Sequence, residues 1–316
     1  MAYLYLIAGI VLLLFGGDFI VKGAVDLALR LKVSILVIGM TVVSFATSAP
    51  ELLVSLDAAL NGYTDISFGN VVGSNIANIS LILGLTALIV PLSVQVKTYR
   101  LDWWVMMGVT LLLGFFLYFN EDETRKLDRW EASIMVIILV VYNVLQVYAS
   151  RKSNVKADID TSGLRNPWLT FVFIVLGVAG LKYGSEFLID GSVSLARDWG
   201  VSERVIGITV VSVGTSLPEL AASLVAAFKG EPDLSVGNLI GSNIFNILAV
   251  LGITGIIIDI PLSNPALISF DFPWLLGISV LLYFFMRFVT RSMITRWEGL
   301  IMFLVYLIFL GGVFLF

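Results

Sequence analysis

Hydrophobic stretches of roughly 20 residues or more, separated by short polar breaks, follow one another along the whole chain. An α-helix needs about 20 apolar residues to cross about 30 Å of hydrocarbon, whereas membrane β-strands alternate over about 10 residues. The pattern therefore predicts an all-α membrane protein with ten transmembrane helices. We place them at 3–29, 34–60, 66–90, 101–119, 130–149, 167–196, 202–228, 235–259, 267–286 and 297–315.

The most polar of these hydrophobic stretches belong to an internal repeat. Residues 34–84 recur at 202–252 without a gap, and 30 of the 51 aligned positions are identical. Each half contains five predicted helices, and because five is odd, the second half must enter the membrane from the opposite side. We therefore expect two five-helix repeats of inverted topology, 1–150 and 167–316, joined by a linker at 151–166.

The charges in the predicted loops indicate how the chain crosses the membrane. Loops on one side carry twelve Lys and Arg residues, while loops on the other side carry five. Basic residues are enriched in short cytoplasmic loops. We therefore predict a multi-pass protein of the cell (inner) membrane, with the linker in the cytoplasm and both termini outside.

The composition narrows the possible chemistry. Hydrophobic residues make up 59% of the chain and charged residues 13%, which excludes an ordinary soluble domain. The chain has no Cys and no His, so thiolate and imidazole ligands, disulfides and Cys or His catalysis are excluded. Oxygen ligands remain, and those suit sodium, calcium or magnesium. The sequence shows no nucleic-acid-binding patch and no evident obligate protein partner.

Two glutamates, Glu51 and Glu219, occupy equivalent positions near the middle of the second and seventh predicted helices. An ionisable side chain at that depth costs about 2.5 to 3.5 kcal/mol on the insertion scale. A bound cation would compensate this cost. The sequence therefore predicts a cation site that contains both carboxylates.

A proline precedes each glutamate and should interrupt its helix. Pro50 and Pro218 have no N–H, so the carbonyls of Ala46 and Gly214 lose their helical partners. We expect each helix to break there and to expose backbone carbonyls as further oxygen ligands. The alternative is that Ser48 and Ser216 begin capping boxes that merely restart the helices, a role also compatible with ion binding.

The third and eighth predicted helices carry buried amides and hydroxyls at equivalent positions. Asn75 and Asn78 are three residues apart and therefore share one helical face, as do Asn243 and Asn246. Such side chains either bind an ion or form hydrogen bonds between packed helices. We favour ion binding for Asn78 and Asn246 and leave both roles open for Asn75 and Asn243.

Glycines in the first and sixth predicted helices indicate close helix packing. They lie at positions 16, 17, 23, 184 and 191, and small residues let two membrane helices approach each other closely. The same contacts would let these two helices slide as a gate. In the first helix, Asp18 and Lys22 are spaced for a local ion pair.

These duplicated motifs closely resemble those of the sodium/calcium exchanger family of the calcium/cation antiporter superfamily, in its prokaryotic form without a large cytoplasmic domain. The motifs are TSAPE at 47–51 with GSNIAN at 73–78, and TSLPE at 215–219 with GSNIFN at 241–246. The resemblance covers nearly the whole chain. It implies a cation site formed by helices two, three, seven and eight, across which helices one and six slide.

The resemblance also implies a role for each matching residue. Calcium would be held by Glu51 and Glu219 with the backbone carbonyls of Thr47 and Thr215. Sodium sites would add the following side chains: Ser44, Ser48, Ser74, Asn78, Ser212, Ser216, Ser242 and Asn246.

One departure from the family concerns Asn246, where some relatives, including potassium-dependent exchangers, have an acidic residue. With an amide there, two carboxylates give a site of formal charge −2, which one calcium or two sodium ions balance. Potassium dependence is therefore not expected.

The expected function is a secondary active sodium/calcium antiporter without a prosthetic group, whose partners are the two ions and the lipid bilayer. A calcium/proton antiporter of the same superfamily is the nearest alternative, with the glutamates carrying protons. A cation channel would need a continuous pore, usually in a symmetric oligomer, and an inverted repeat in one chain argues against it. An intramembrane enzyme would need a nucleophile with a partner, and none is evident.

Overall fold

The computed structural model describes residues 2–93, 96–118, 126–153, 166–198, 212–289 and 293–313. Twelve helical segments lie in these ranges. They are α1 (Ala2–Leu31), α2 (Ile35–Thr47), α3 (Ala49–Leu60), α4 (Thr64–Ile89), α5 (Val96–Tyr118), α6 (Arg129–Ser153), α7 (Pro167–Asp198), α8 (Ser212–Thr215), α9 (Leu217–Phe228), α10 (Pro232–Ile257), α11 (Leu267–Val289) and α12 (Arg296–Val313). Four two-residue strands pair antiparallel, β1 (Leu92–Ser93) with β4 (Met293–Ile294) and β2 (Lys126–Leu127) with β3 (Ile260–Pro261).

The prediction of an all-helical membrane protein is confirmed. Within the described ranges, eight helices are long and apolar enough to cross a membrane, and α2 with α3 forms a ninth candidate bent by 43°. The apolar helix α9 covers the end of the predicted seventh span, whose first ten residues, 202–211, lie outside the described residues. Most of the predicted linker also lies outside them, although α6 continues to Ser153.

The chain divides into two compact units that each draw on both halves of the sequence. Unit 1 contains residues 1–47 and 146–238, and unit 2 contains residues 48–145 and 239–316. The boundary between 47 and 48 coincides with the break between α2 and α3. Each unit therefore receives one glutamate-bearing helix, α9 in unit 1 and α3 in unit 2.

In unit 1, α1 and α7 pack antiparallel with their backbones in close contact. A Cβ atom added to Gly16 would lie 3.0 Å from the carbonyl oxygen of Gly177, and one added to Gly184 would lie 3.0 Å from that of Gly9. Gly177 and Gly184 are the repeat equivalents of Gly9 and Gly16. The contact of Gly16 with Gly177 is therefore the repeat equivalent of the contact of Gly184 with Gly9. The predicted close packing of these helices is confirmed.

In unit 2, contacts between helices also occur in equivalent pairs. Gly84 of α4 faces Gly299 of α12, and Gly252 of α10, the equivalent of Gly84, faces Ala132 of α6. The arginine that starts each partner helix donates to the end of the helix that it packs against, Arg296 to the carbonyl of Ile89 and Arg129 to that of Ile257. The same packing arrangement is therefore built twice within this unit.

Candidate cation site

Each glutamate-bearing helix begins immediately after a break at a serine. Ser48 has φ −86° and ψ 5°, and Ser216 has φ −91° and ψ 6°, so the two breaks share one non-helical conformation. Pro50 and Pro218 occupy the second positions of the helices that follow. The predicted interruption is thus present in both repeats.

The capping-box alternative is wrong for both breaks. In the described structure, neither the Ser48 nor the Ser216 side chain makes a capping hydrogen bond to the helix that follows. Proline removes the N–H of the second helical position, so fewer free amide groups are left for a serine to cap. Neither hydroxyl therefore serves as the cap of the helix that follows it.

Glu51 and Glu219 are almost completely buried, with 1% and 0% of their surfaces exposed. Both lie in the first turn of their helices, α3 and α9. The aligned peptide dipoles place partial positive charge at a helix N-terminus, which favours a carboxylate there. The break thus puts each acidic group at the electrostatically favourable end of a half-helix, deep in the protein.

The end of α2 contributes two buried hydroxyls to unit 1. Ser44 donates to the backbone carbonyl of Asn238 at 2.9 Å, and Thr47 donates to the Oδ1 atom of the same residue at 3.2 Å. Both side chains are fully buried. Thr215 ends α8 and is 7% exposed, while the side chain of Ser212 lies outside the described residues.

Four asparagines in unit 2 form hydrogen bonds between α4 and α10. The amide nitrogen of Asn78 donates to Oδ1 of Asn243 at 3.1 Å, and that of Asn246 donates to Oδ1 of Asn75 at 3.0 Å. Each bond is the repeat equivalent of the other. Asn75 and Asn243 therefore have the packing role that the sequence left open for them.

The amide oxygens of Asn78 and Asn246 are buried and accept no hydrogen bond from any described residue. Both asparagines lie in short π-helical segments, Ala77–Ile82 of α4 and Asn246–Leu251 of α10. Such segments often mark functional sites, and an unsatisfied buried acceptor calls for a partner. A carbonyl oxygen of this kind is a suitable ligand for a hard cation.

The predicted ligands are divided equally between the two units. Unit 2 contains Ser48, Glu51, Ser74, Asn78, Ser242 and Asn246, while unit 1 contains Ser44, Thr47, Ser212, Thr215, Ser216 and Glu219. In unit 2, α3 packs against α4 and against the π-helical segment that begins at Asn246. Ser74 and Ser242 are 4% and 0% exposed. A site shared by the two glutamates stays a prediction.

Two polar residues with a place in this arrangement are absent from the predicted set. Asn70 donates to Ser55 Oγ at 2.9 Å in unit 2, and the equivalent Asn238 donates to Ser223 Oγ at 3.1 Å in unit 1. The serines lie four residues after Glu51 and Glu219, on the same helical faces. Both the asparagine and the serine are identical in the two repeats, and this identity could have pointed to them from the sequence alone.

Comparison with known proteins gives matches over nearly the whole chain. The model of a family described as "Sodium/calcium exchanger protein" matches residues 1–148 and 169–315. The chain is 33% identical to the sodium/calcium exchanger MaX1 of Methanosarcina acetivorans, with 98% of this chain and 97% of MaX1 covered. It is 38% identical to CaxA of Alkalimonas amylolytica, with 97% and 96% covered.

Another relative and a solved structure extend the likeness. The inner membrane protein YrbG of Escherichia coli is 34% identical, with 87% of this chain and 86% of YrbG covered. The structure of the sodium-calcium exchanger NCX_Mj soaked with zero Na⁺ and Ca²⁺ superposes with a TM-score of 0.82 at 30% identity, covering 99% of this chain and 98% of that one. The same exchanger has been solved after soaking with Na⁺ and Ca²⁺ together.

Proposed function

Because this chain belongs to the sodium/calcium exchanger family, we propose that it is a secondary active antiporter that exchanges sodium for calcium. The family is one of cation-exchange antiporters, and this chain is a multi-pass membrane protein. The main support for sodium/calcium exchange at a buried cation site is the near-complete burial of Glu51 and Glu219 at two equivalent helix breaks. Buried carboxylates need a compensating positive charge, and a bound cation supplies it.

The proposed ligands follow the chemistry of the two ions. Calcium takes six to eight oxygens at about 2.3 to 2.6 Å in a flexible cage, which two carboxylates, threonine carbonyls and water can provide. Magnesium demands a stiffer octahedron and is expected to bind less well. Sodium would use the neutral oxygens of these residues: Ser44, Ser48, Ser74, Asn78, Ser212, Ser216, Ser242 and Asn246.

We infer that ten helices form two inverted repeats, and contacts within each unit support this. The equivalent helices α1 and α7 run antiparallel. Gly9 lies against Gly184, the equivalent of Gly16, and Gly16 lies against Gly177, the equivalent of Gly9. The reciprocal bonds of the asparagines behave in the same way. Exchange of equivalent contacts is what a two-fold axis produces. By family resemblance, α1 and α7 would slide to expose the site to each side in turn.

A calcium/proton antiporter is the second candidate, and the same buried carboxylates favour it. In this candidate, Glu51 and Glu219 would bind and release protons in place of sodium ions. The two candidates differ only in the ion that drives calcium movement. A transport assay in which one gradient is varied and the other is held constant separates them.

The decisive experiment measures calcium uptake into proteoliposomes that contain the purified protein. With pH clamped on both sides, an outward sodium gradient should drive calcium in, and Glu51→Gln or Glu219→Gln should abolish this uptake. Asp57→Asn is the matched control, because Asp57 is exposed on the same helix as Glu51. Uptake driven by a pH gradient without sodium would favour the proton antiporter, and no uptake under either gradient would refute both.

A further inference from the structure

The side chain of Asn238 joins two other elements of unit 1 to its own helix. It is 1% exposed. Its Oδ1 atom accepts the hydrogen bond from Thr47 at the end of α2, and its Nδ2 atom donates to Ser223 of α9, one turn after Glu219. Its backbone carbonyl accepts the bond from Ser44. One amide therefore connects the end of α2 to α9, the helix that carries Glu219.

We propose that Asn238 is a positioning residue of the cation site, a role that rests on the proposed function. It fixes the last turn of α2, and with it the backbone carbonyl of Thr47, relative to the helix that presents the Glu219 carboxylate. Both groups are proposed calcium ligands. Asn238 itself contributes no atom to the ion.

Close backbone packing makes this connection short and stiff. A Cβ atom added to Gly39 of α2 would lie 3.0 Å from the carbonyl oxygen of Leu234 and 3.3 Å from the backbone nitrogen of Asn238. The start of α10 thus lies directly against α2. Because Asn238 is buried, removing its side chain costs two buried hydrogen bonds, although Thr47 also donates to the carbonyl of Ser44 at 3.4 Å.

The other repeat contains the same amide and serine in unit 2. Asn70 donates to Ser55 Oγ and, at 3.3 Å, to the backbone carbonyl of Glu51. Ser55 donates to the carbonyl of Ser67 at 3.3 Å, as Ser223 does to that of Ser235 at 3.4 Å. In each unit, an asparagine thus bonds to the helix that follows a break. Asn70 also bonds to the backbone of Glu51, whereas Asn238 also bonds to Thr47.

The proposed role should affect calcium more than sodium. Asn238→Leu keeps the backbone carbonyl that accepts from Ser44 but removes the two side-chain bonds that hold Thr47 and Ser223. The Thr47 carbonyl is a proposed calcium ligand, whereas Ser44 is proposed only for sodium. A purely structural role would weaken the binding of both ions together.

The test is a double-mutant cycle on the full-length protein, with calcium and sodium affinities measured by calorimetry in detergent. Asn238→Leu and Thr47→Val, which removes the hydroxyl but keeps the carbonyl, should each lower calcium affinity about 5- to 30-fold, as expected for loss of one or two buried hydrogen bonds. Sodium affinity should change less. The double variant should lose far less than the product of the two single losses.

Two controls remove side chains whose bonds, among the described residues, stay within their own helices. Asn143→Leu breaks a bond to the carbonyl of Leu139, and Thr110→Val breaks one to the carbonyl of Met106. Both should leave calcium affinity unchanged. If Asn238→Leu does not fold, Thr47→Val is paired with Ser223→Ala, and a loss of calcium affinity in both supports the role.

Three outcomes would overturn the inference about Asn238. They are unchanged calcium affinity in the folded variants, an equal loss of calcium and sodium affinity, and a double variant whose loss equals the product of the single losses. Failure of the proposed function has a different signature, because the unmodified protein would then bind no calcium that sodium displaces. Calcium binding by the unmodified protein with no effect of Asn238→Leu refutes the positioning role alone.

Discussion

At the scale of single residues, the two asparagines of each GSNIxN motif have different roles. Asn75 and Asn243 use their oxygens to accept hydrogen bonds from the neighbouring helix. Asn78 and Asn246 donate in those bonds, which leaves their oxygens with no donor among the described residues. One pair holds the helices together, and the other presents oxygen atoms. We propose that the second pair faces the ion.

A carboxylate in place of the Asn246 amide should strengthen cation binding. One added charge about 4 Å from a cation contributes about 4 kcal/mol at an effective dielectric constant of 20, more than the loss of the bond to Asn75 costs. Asn246→Asp should therefore raise sodium affinity by at least about tenfold. The gain should disappear as the pH falls, because the new carboxyl group must be ionised.

Sodium binding followed by calorimetry across a pH series measures both effects. Asn143→Asp is the control, because Asn143 bonds within its own helix. Sodium affinity in Asn246→Asp that matches the unmodified protein at every pH would exclude Asn246 from the site.

At the scale of helices, two structural features occur in both repeats. One is the break before each proline, and the other is close packing of helices at glycine. The break gives a half-helix whose N-terminus favours the glutamate. The glycines let α1 and α7 approach so closely that a methyl group on Gly16 would lie 2.6 Å from the backbone nitrogen of Leu181. Backbone atoms cannot move aside as a flexible side chain can, so this contact tolerates no larger residue without separating the helices.

Gly16→Ala should destabilise the protein by about 1 to 3 kcal/mol, because the added methyl group overlaps backbone atoms of α7. The thermal unfolding midpoint in detergent measures the effect. Gly108→Ala is the matched control in α5, since nothing described lies within 4 Å of its added Cβ. An alanine costs less than glycine within a helix, so Gly108→Ala should keep or slightly raise the midpoint. Equal midpoints for both variants would contradict the tight packing of α1 on α7.

At the scale of the whole molecule, the compact units do not follow the sequence repeats. Each unit combines segments of both halves, and the chain passes from unit 1 to unit 2 between residues 47 and 48. The sixth helical segment, α6, also crosses from one unit to the other, since residue 146 begins a part of unit 1. The proposed five-helix repeats, 1–150 and 167–316, therefore do not coincide with the compact units.

The proposed orientation can be tested because the chain contains no cysteine. Ser263 and Lys152 are both exposed, and we expect Ser263 outside the cell and Lys152 in the cytoplasm. A membrane-impermeant maleimide should label Ser263→Cys in intact cells and Lys152→Cys only after lysis. The cysteine-free parent measures background, and the reverse labelling pattern would invert the topology.

Much of this protein could be predicted from local sequence. Length and hydropathy predicted the eight long helices and the bent pair that the described residues contain, since the length of a span is set by the thickness of the bilayer. Pro50 and Pro218 located the breaks, because a missing N–H acts on the chain beside it. The repeat identified Glu51 and Glu219 as acidic residues near the middle of predicted membrane helices. Their burial agrees with that prediction.

The partners of the polar groups were decided only by the tertiary structure. Thr47 bonds to a residue 191 positions away, and Asn246 to one 171 positions away. Asn75 and Asn78 share one helical face, so periodicity could not tell which amide packs and which keeps a free oxygen. The repeat marked Asn238 as identical to Asn70, but the sequence could not show that Asn238 bonds to Thr47. A hydrogen bond depends on which atoms lie within about 3 Å in space, and only the packed helices determine that.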